Sequence, residues 1–249
     1  MDRETIIALN AMNAEFYRAN KASFSHSRQD AWPGWNRIAE HLLQVIAGRN
    51  LDVLDVACGN MRFEKYLTES LPDIKLEATC IDSCDDLAIE HENCIYRHID
   101  IVEELCQGDS LARVWGSGYD LVVSFGFFHH VPSSELRLRL LEALIESARP
   151  GGLIAFSLWR FASNSKMLAK ARRTTEEALS TFEEPPKLEE GDYLLGWNNV
   201  PGAFRYCHSF SDREIESLAA SASQADLIDR FRADGRTNAL NEYLVFRKR

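Results

Sequence analysis

Three carboxylates, Asp55, Asp82 and Asp100, each close a short apolar run, and it is here that the 249-residue chain first suggests chemistry. The first run, "LDVLDVA" at 51–57, leads through "CGN" into the helix-like "RFEKYLTES". An acid at a strand end, a glycine turn and a helix together cradle nucleotide-type ligands beyond the carboxyl ends of an α/β sheet. Asp82, 23 positions past Gly59, stands where a carboxylate accepts two ribose hydroxyls. The loop keeps one glycine, with Ala57 and Met61 at the flanking places, so it lacks the GxGxxG pattern that brings backbone against a pyrophosphate. Each acid alone also has a plain reading as a helix cap or a turn residue, nearest to even for Asp100. Three in succession point to a site.

Those acids need a frame. Apolar residues Ile6, Ile7, Leu9, Met12 and Phe16 predict a helix over 4–21, and a second covers 35–48 with Gly48 as its stop. Strands are predicted at 51–57, 75–82, 94–100, 119–127, 151–159, 225–231 and 242–248. Helices fall at 62–70, 84–92 and 133–148, and another starts at about Asp212, behind the capping candidate Ser211. Such alternation predicts an α/β fold, a mainly parallel sheet with helices on both faces. The pattern breaks at 161–180, which reads as helix, and at the loop-rich 183–205. The chain is thus one domain: an N-terminal helical cap (1–49), a cofactor-binding core (50–160), an insertion placed as a substrate lid (161–205), and a closing helix and strands (206–249).

Composition narrows the partners. No apolar run reaches the roughly 20 residues that cross a bilayer, and the acidic, amphipathic start is unlike a signal peptide. A cytoplasmic protein away from membranes is expected. Six cysteines form no CxxC pair and offer too few ligands for zinc, so buried thiols and no metal are expected. A net charge of −10 gives no general attraction for phosphate backbones. The basic stretches at 170–177 and 246–249 read as a solvated face and a chain end.

A ligand without phosphate, carrying an amino-acid tail and a sulfonium, needs less glycine than a dinucleotide. The loop therefore suits S-adenosylmethionine better than NAD. Here the chain resembles the class I S-adenosylmethionine-dependent methyltransferases: "LDVACGN" is similar to their first motif, "CIDS" to the second, "HID" at 98–100 to the adenine position, "YDLVVSFGFFHHV" to the fourth strand and methyl-transfer site, and "ARPGGLIAFSLW" to the turn into the fifth strand. The resemblance implies a Rossmann-like, seven-stranded, mostly parallel sheet whose last strand is antiparallel. It also implies cofactor contacts at Asp55, Ala57, Gly59, Asp82, Ser83, Asp100, Ile101, Ser124 and Phe125.

A narrower resemblance, to tRNA wobble-uridine carboxymethyl methyltransferases, lies in "EFYRANKASFSHSRQDAWPGW" (15–35), the pair His129–His130, "GDYLLGW" (191–197) and "RYCHSF" (205–210). The chain departs from that family at Ala57 and Met61, where it has glycines, and at Gly196, where it has proline. The resemblance implies a carboxylate acceptor, already ionised at neutral pH and in need of no strong base. A guanidinium fork suits a carboxylate, so Arg205 with Tyr206 and His208 is expected to position it, beside His130. A structural ion pair explains the first three as well, and a loop histidine the last. Arg28, Trp32 and Trp35 are expected as a lid, with Arg28 facing the cofactor's carboxylate; alternatively the tryptophans pin the N-terminal helix. The implied partners are a modified tRNA uridine and a small activator protein. The alternatives are a small carboxylate or hydroxyl metabolite under the insertion, or a cofactor-binding pseudoenzyme acting as a regulatory subunit. Oligomeric state is left open.

Overall fold

The computed structural model describes residues 1–26, 30–46, 48, 50–87, 91–108, 110–197 and 200–249. Five parallel strands, β1 (Asn50–Val56), β2 (Lys75–Asp82), β3 (Cys94–His98), β4 (Tyr119–Ser124) and β5 (Ala148–Trp159), form the sheet with β8 (Ala225–Ala233) and β9 (Asn241–Lys248). Their order is β3-β2-β1-β4-β5-β9-β8, seven strands in all. The last strand in sequence, β9, runs antiparallel to both neighbours and sits between β5 and β8. Strand order reverses beside β1, which pairs with β2 on one side and β4 on the other. That reversal is where an open α/β sheet leaves a crevice.

Alternation along β1 shows how the strands feed two cores. Leu51 and Val53 join Trp35, Ile38 and Leu42 of α2 (Gly34–Leu43) and Phe63 and Leu67 of α3 (Arg62–Ser70). Leu54 and Val56 face the opposite layer, with α4 (Ile101–Gln107), α5 (Leu111–Trp115), α6 (Ser134–Ser147) and α8 (Asp212–Ser221). By the same alternation Asp55 turns toward α3. α8 begins on a full capping box, Ser211 with Glu214.

The remaining elements build one wall of the crevice. α1 (Arg3–His26) buries Ile6, Leu9, Asn13 and Phe16, one stripe at helical spacing, while Ile7 is solvent-facing. The insertion holds α7 (Ser165–Leu179) and a two-stranded antiparallel hairpin, β6 (Asp192–Gly196) with β7 (Phe204–His208), and α1 packs on β7. The second strand of the hairpin continues past residue 205 to His208. Pro185, Pro186, Gly191, Pro201 and Gly202 had made this stretch read as loop. Strands of five residues are too short to stand out among such breakers.

Three other expectations change. The helix at 84–92 is a single 3₁₀ turn at Asp85–Leu87 among the described residues. The strand at 94–100 stops at His98, because the Asp100 carboxylate accepts the Glu103 N–H and starts α4 instead. α2 ends at Leu43 rather than 48. Among the described residues, no helix is long and apolar enough to cross a membrane.

Candidate active site

The β1–α3 loop is bent by its backbone rather than by glycine content. Ala57 (φ 67°), Gly59 (φ 56°) and Met61 (φ 52°) are all left-handed. Ala57 and Met61 thus hold the conformation that glycine adopts at no cost, at about 1–2 kcal/mol each. Their N-terminal anchor is Ile81, whose carbonyl accepts the N–H groups of Ala57 (2.7 Å) and Cys58 (3.0 Å). At the next turn the Asp82 carboxylate accepts Gly59 N–H and Cys84 N–H, both at 2.9 Å. No atom lies within 4 Å of where a Gly59 Cβ would sit, so the loop opens onto the crevice.

That crevice is a cavity of about 460 Å³. One end is lined by Asp55, Ala57, Gly59, Asp82, Ser83 and Leu87, and Asn10 and Asn13 of α1 also line the cavity. Burial raises the Asp82 carboxyl above its ordinary value, against the pull of the backbone N–H groups. Asp55 is buried at the end of β1; burial first, and then the neighbouring Glu64, hold it well above the carboxylate range. Its Oδ1 has no hydrogen-bond partner among the described residues.

The other end is lined by His129, His130, Trp159, Tyr17 and Arg205. His130 is oriented from both sides. Its Nδ1 lies 2.9 Å from the Tyr206 carbonyl, which can only accept, so Nδ1 carries the proton. Nε2 then accepts from the Tyr17 hydroxyl at 2.7 Å. Arg205 Nη1 meets the same hydroxyl at 3.3 Å. Its guanidinium sits among the rings of Phe16 (5.0 Å), Trp197 (5.3 Å) and Trp159 (5.8 Å). Arg205 is 5% exposed, and no carboxylate pairs with it among the described residues. Trp32 and Trp35 close a third side, stacked 5.6 Å apart beneath the Arg62 guanidinium. Trp35 also packs on Phe63, so it lines the cavity and pins α2 at once.

Of the residues expected from sequence, Asp55, Ala57, Gly59, Asp82, Ser83 and Phe125 come together around this cavity, as do His130 and Arg205. Others lie off it. Tyr206 and His208 are fully buried behind β7, bonded to Asp192 at 2.7 Å each, and His208 also to Glu214 at 2.9 Å. Strand alternation is the reason: Arg205 faces the cavity, so its neighbour Tyr206 and then His208 face away. Asp100 caps α4 and accepts from Asn10 at 2.8 Å. Ile101 belongs to the core, and the buried Ser124 lies beneath the lining. Arg28 lies outside the described residues. Asn10, Asn13 and Tyr17 were missed, although their i, i+3, i+7 spacing beside the apolar stripe of the same helix was a readable signal.

S-adenosylmethionine would bring an ammonium, a sulfonium and a ribose diol to this cavity. The orphan oxygen of Asp55 offers the ammonium a partner, and Asp82 keeps lone pairs for the diol. The loop has one glycine, so it lacks the glycine-rich cradle that brings backbone against a pyrophosphate. The residues fit the methyl donor. Residues 24–223 match the family model of a methyltransferase domain. A curated relative from Encephalitozoon cuniculi, named a methyltransferase only provisionally, is 23% identical over 208 residues, 83% of this chain and 84% of its own. A solved S-adenosylmethionine-dependent methyltransferase from Methanosarcina mazei superposes with a TM-score of 0.58 at 14% identity, covering 88% of this chain and 98% of its own. The 1,6-didemethyltoxoflavin-N1-methyltransferase of Burkholderia thailandensis, solved with its acceptor and S-adenosylhomocysteine, gives 0.53 at 18% identity, over 94% and 88%. These two structures share the fold. With the family match over most of its length and a cavity built for the cofactor's charges, the chain belongs to the class I methyltransferase-domain family and takes its methyl group from S-adenosylmethionine.

Proposed function

We propose that this methyltransferase esterifies a carboxylate, with Arg205 as the group that receives it. One observation carries the reading: a guanidinium 5% exposed, lining the cavity and without a carboxylate partner among the described residues. Burial works against that charge; its contacts with Tyr17 and Cys207 outweigh burial and keep the guanidinium protonated. A buried cation is costly until it is paired, and an anionic acceptor is the missing partner. The bound cofactor supplies an electrophilic methyl group. Arg205 would hold and orient the acceptor carboxylate, and the surrounding rings would keep water out. A carboxylate has no proton to lose, so no base takes part.

A carboxymethylated wobble uridine in tRNA is one such acceptor, suggested by the sequence resemblance; a small carboxylate metabolite is the other. The charge of −10 favours the metabolite unless an activator protein supplies basic surface. A cytoplasmic setting accords with six cysteines in no disulfide. A second reading rests on His130. Its Nε2 faces the Tyr17 hydroxyl, so a hydroxyl acceptor could pass its proton through Tyr17 to the imidazole.

The test is methyl transfer to carboxylate metabolites, hydroxylated metabolites and tRNA by the wild type and Arg205→Met. For a carboxylate acceptor, Arg205→Met lowers kcat/KM by about 100-fold or more while S-adenosylhomocysteine binding stays nearly unchanged. An unaffected rate removes Arg205 from the site. A kcat that climbs through the ordinary imidazole range, about pH 6–7, selects the hydroxyl reading instead. A strict need for an RNA stem-loop selects tRNA over the metabolite.

A further inference from the structure

Beneath the cofactor loop lie two carboxyls that methyl transfer leaves unexplained. Asp55 ends β1 and lines the cavity at 3% exposed; Glu64, third residue of α3, touches it from behind and is fully buried. Neither pairs with an arginine or lysine among the described residues. Asp55 Oδ1 and both Glu64 oxygens have no hydrogen-bond partner there either. Two ionised carboxylates contain no donor, so in contact they can only repel. One proton between them turns the contact into a hydrogen bond and leaves a single buried charge.

The surroundings do not replace that proton. Cys80 and Asp82 of β2, Cys58 of the loop and Cys94 of β3 face the pair, with His91 just before β3. Its contact with Cys80 pulls the nearby Cys58 thiol down, yet burial and the adjacent carboxylates push it up to about 12. Burial raises Glu64, and the contact with Asp55, its own backbone N–H, Cys80 and the charge of His91 pull it down without cancelling that rise. An incoming ammonium changes this balance, because it gives Asp55 Oδ1 a donor and a positive charge at once.

We propose that Asp55 and Glu64 share one proton in the cofactor-free protein and release it to solvent when the cofactor's ammonium binds beside Asp55. One O–H bond breaks and a buffer base takes the proton; no oxidation or covalent step is involved. Glu64 is then a positioning residue: it tunes the charge that Asp55 presents and does not touch the cofactor. The proposal is independent of which acceptor is methylated.

Calorimetric titration of the full chain with S-adenosylhomocysteine, at pH 7 in phosphate, HEPES and Tris, counts protons directly. The expected result is an apparent enthalpy that varies with buffer ionisation enthalpy, with a slope of about half to one proton released. Glu64→Gln, whose amide donates as the shared proton did, flattens that slope while keeping Kd within about five-fold. A buffer-independent enthalpy in the wild type overturns the proposal, and so does an unchanged slope in Glu64→Gln. Should that variant fail to fold, the wild type decides alone. Affinity that rises with pH between 5.5 and 7.5 supports the shared proton, and flat affinity refutes it.

Discussion

Ala57 occupies a left-handed backbone position that its methyl group disfavours. Read from sequence, it looks like a departure from a glycine-rich turn; the structure keeps that turn and places alanine in it. Strain of this kind collects at ligand-binding loops. Ala57→Gly relieves the strain but widens the unfolded ensemble, so unfolding in urea should show a net gain of about 0.5–1 kcal/mol. A loss would mean that the methyl group, which packs against the core facing α4, is worth more than the strain. Met61 is a different case. Its side chain is 4% exposed within the α2–α3 core, so glycine there would also remove burial. No sequence pattern distinguishes these two residues, because φ is set by the loop's closure onto Ile81 and Asp82.

The β6–β7 hairpin aims Arg205, and its register is fixed where no cavity residue lies. Gly191, φ 88°, leads into β6, and a Cβ there would sit 2.7 Å from His208 Cε1 and 3.1 Å from the Ser209 carbonyl. Gly191→Ala should therefore cost about 2 kcal/mol or more, read from urea unfolding, and should weaken acceptor use more than cofactor binding. An unchanged midpoint would show that the register is set elsewhere. Elements with a strong pattern of their own were legible in the sequence: α3 at 62–70, β2 at 75–82 and the Ser211 cap of α8. The hairpin was not, since its strands are short and its hydrogen bonds are non-local. The same limit applies to Tyr206 and His208. Their residue types suggested chemistry, but which side of β7 they face depends on a register that only pairing with β6 reveals.

Across the whole molecule, acids at the edge of the core and within it pull stability in opposite directions with pH. Burial opposes it, yet the bonds from His208 and Ser211 hold Glu214 at about 2. Its contribution is present above the ordinary carboxylate range and is lost as pH falls toward 2. Asp55 and Glu64 are raised by burial, so their contribution is complete at low pH and is lost as pH rises through their elevated values. Thermal melts should accordingly show Glu64→Gln above the wild type at pH 7.5, with the two converging near pH 4. A constant offset would detach the effect from titration. The seven-stranded frame and the cofactor end of the cavity could be read because they follow chain-local rules. The acceptor end gathers α1, the His129–His130 turn and β7 from distant parts of the chain, and only folding brings them together. The placement of the indoles adds something practical. Of five tryptophans, Trp32 and Trp35 lie beside the cofactor loop, Trp159 and Trp197 beside Arg205, and Trp115 deep in the opposite core with its Nε1 bonded to Ser147 at 2.6 Å. The unlabelled chain is its own optical reporter: fluorescence from either pair follows occupancy of the end it borders, over a steady background from Trp115.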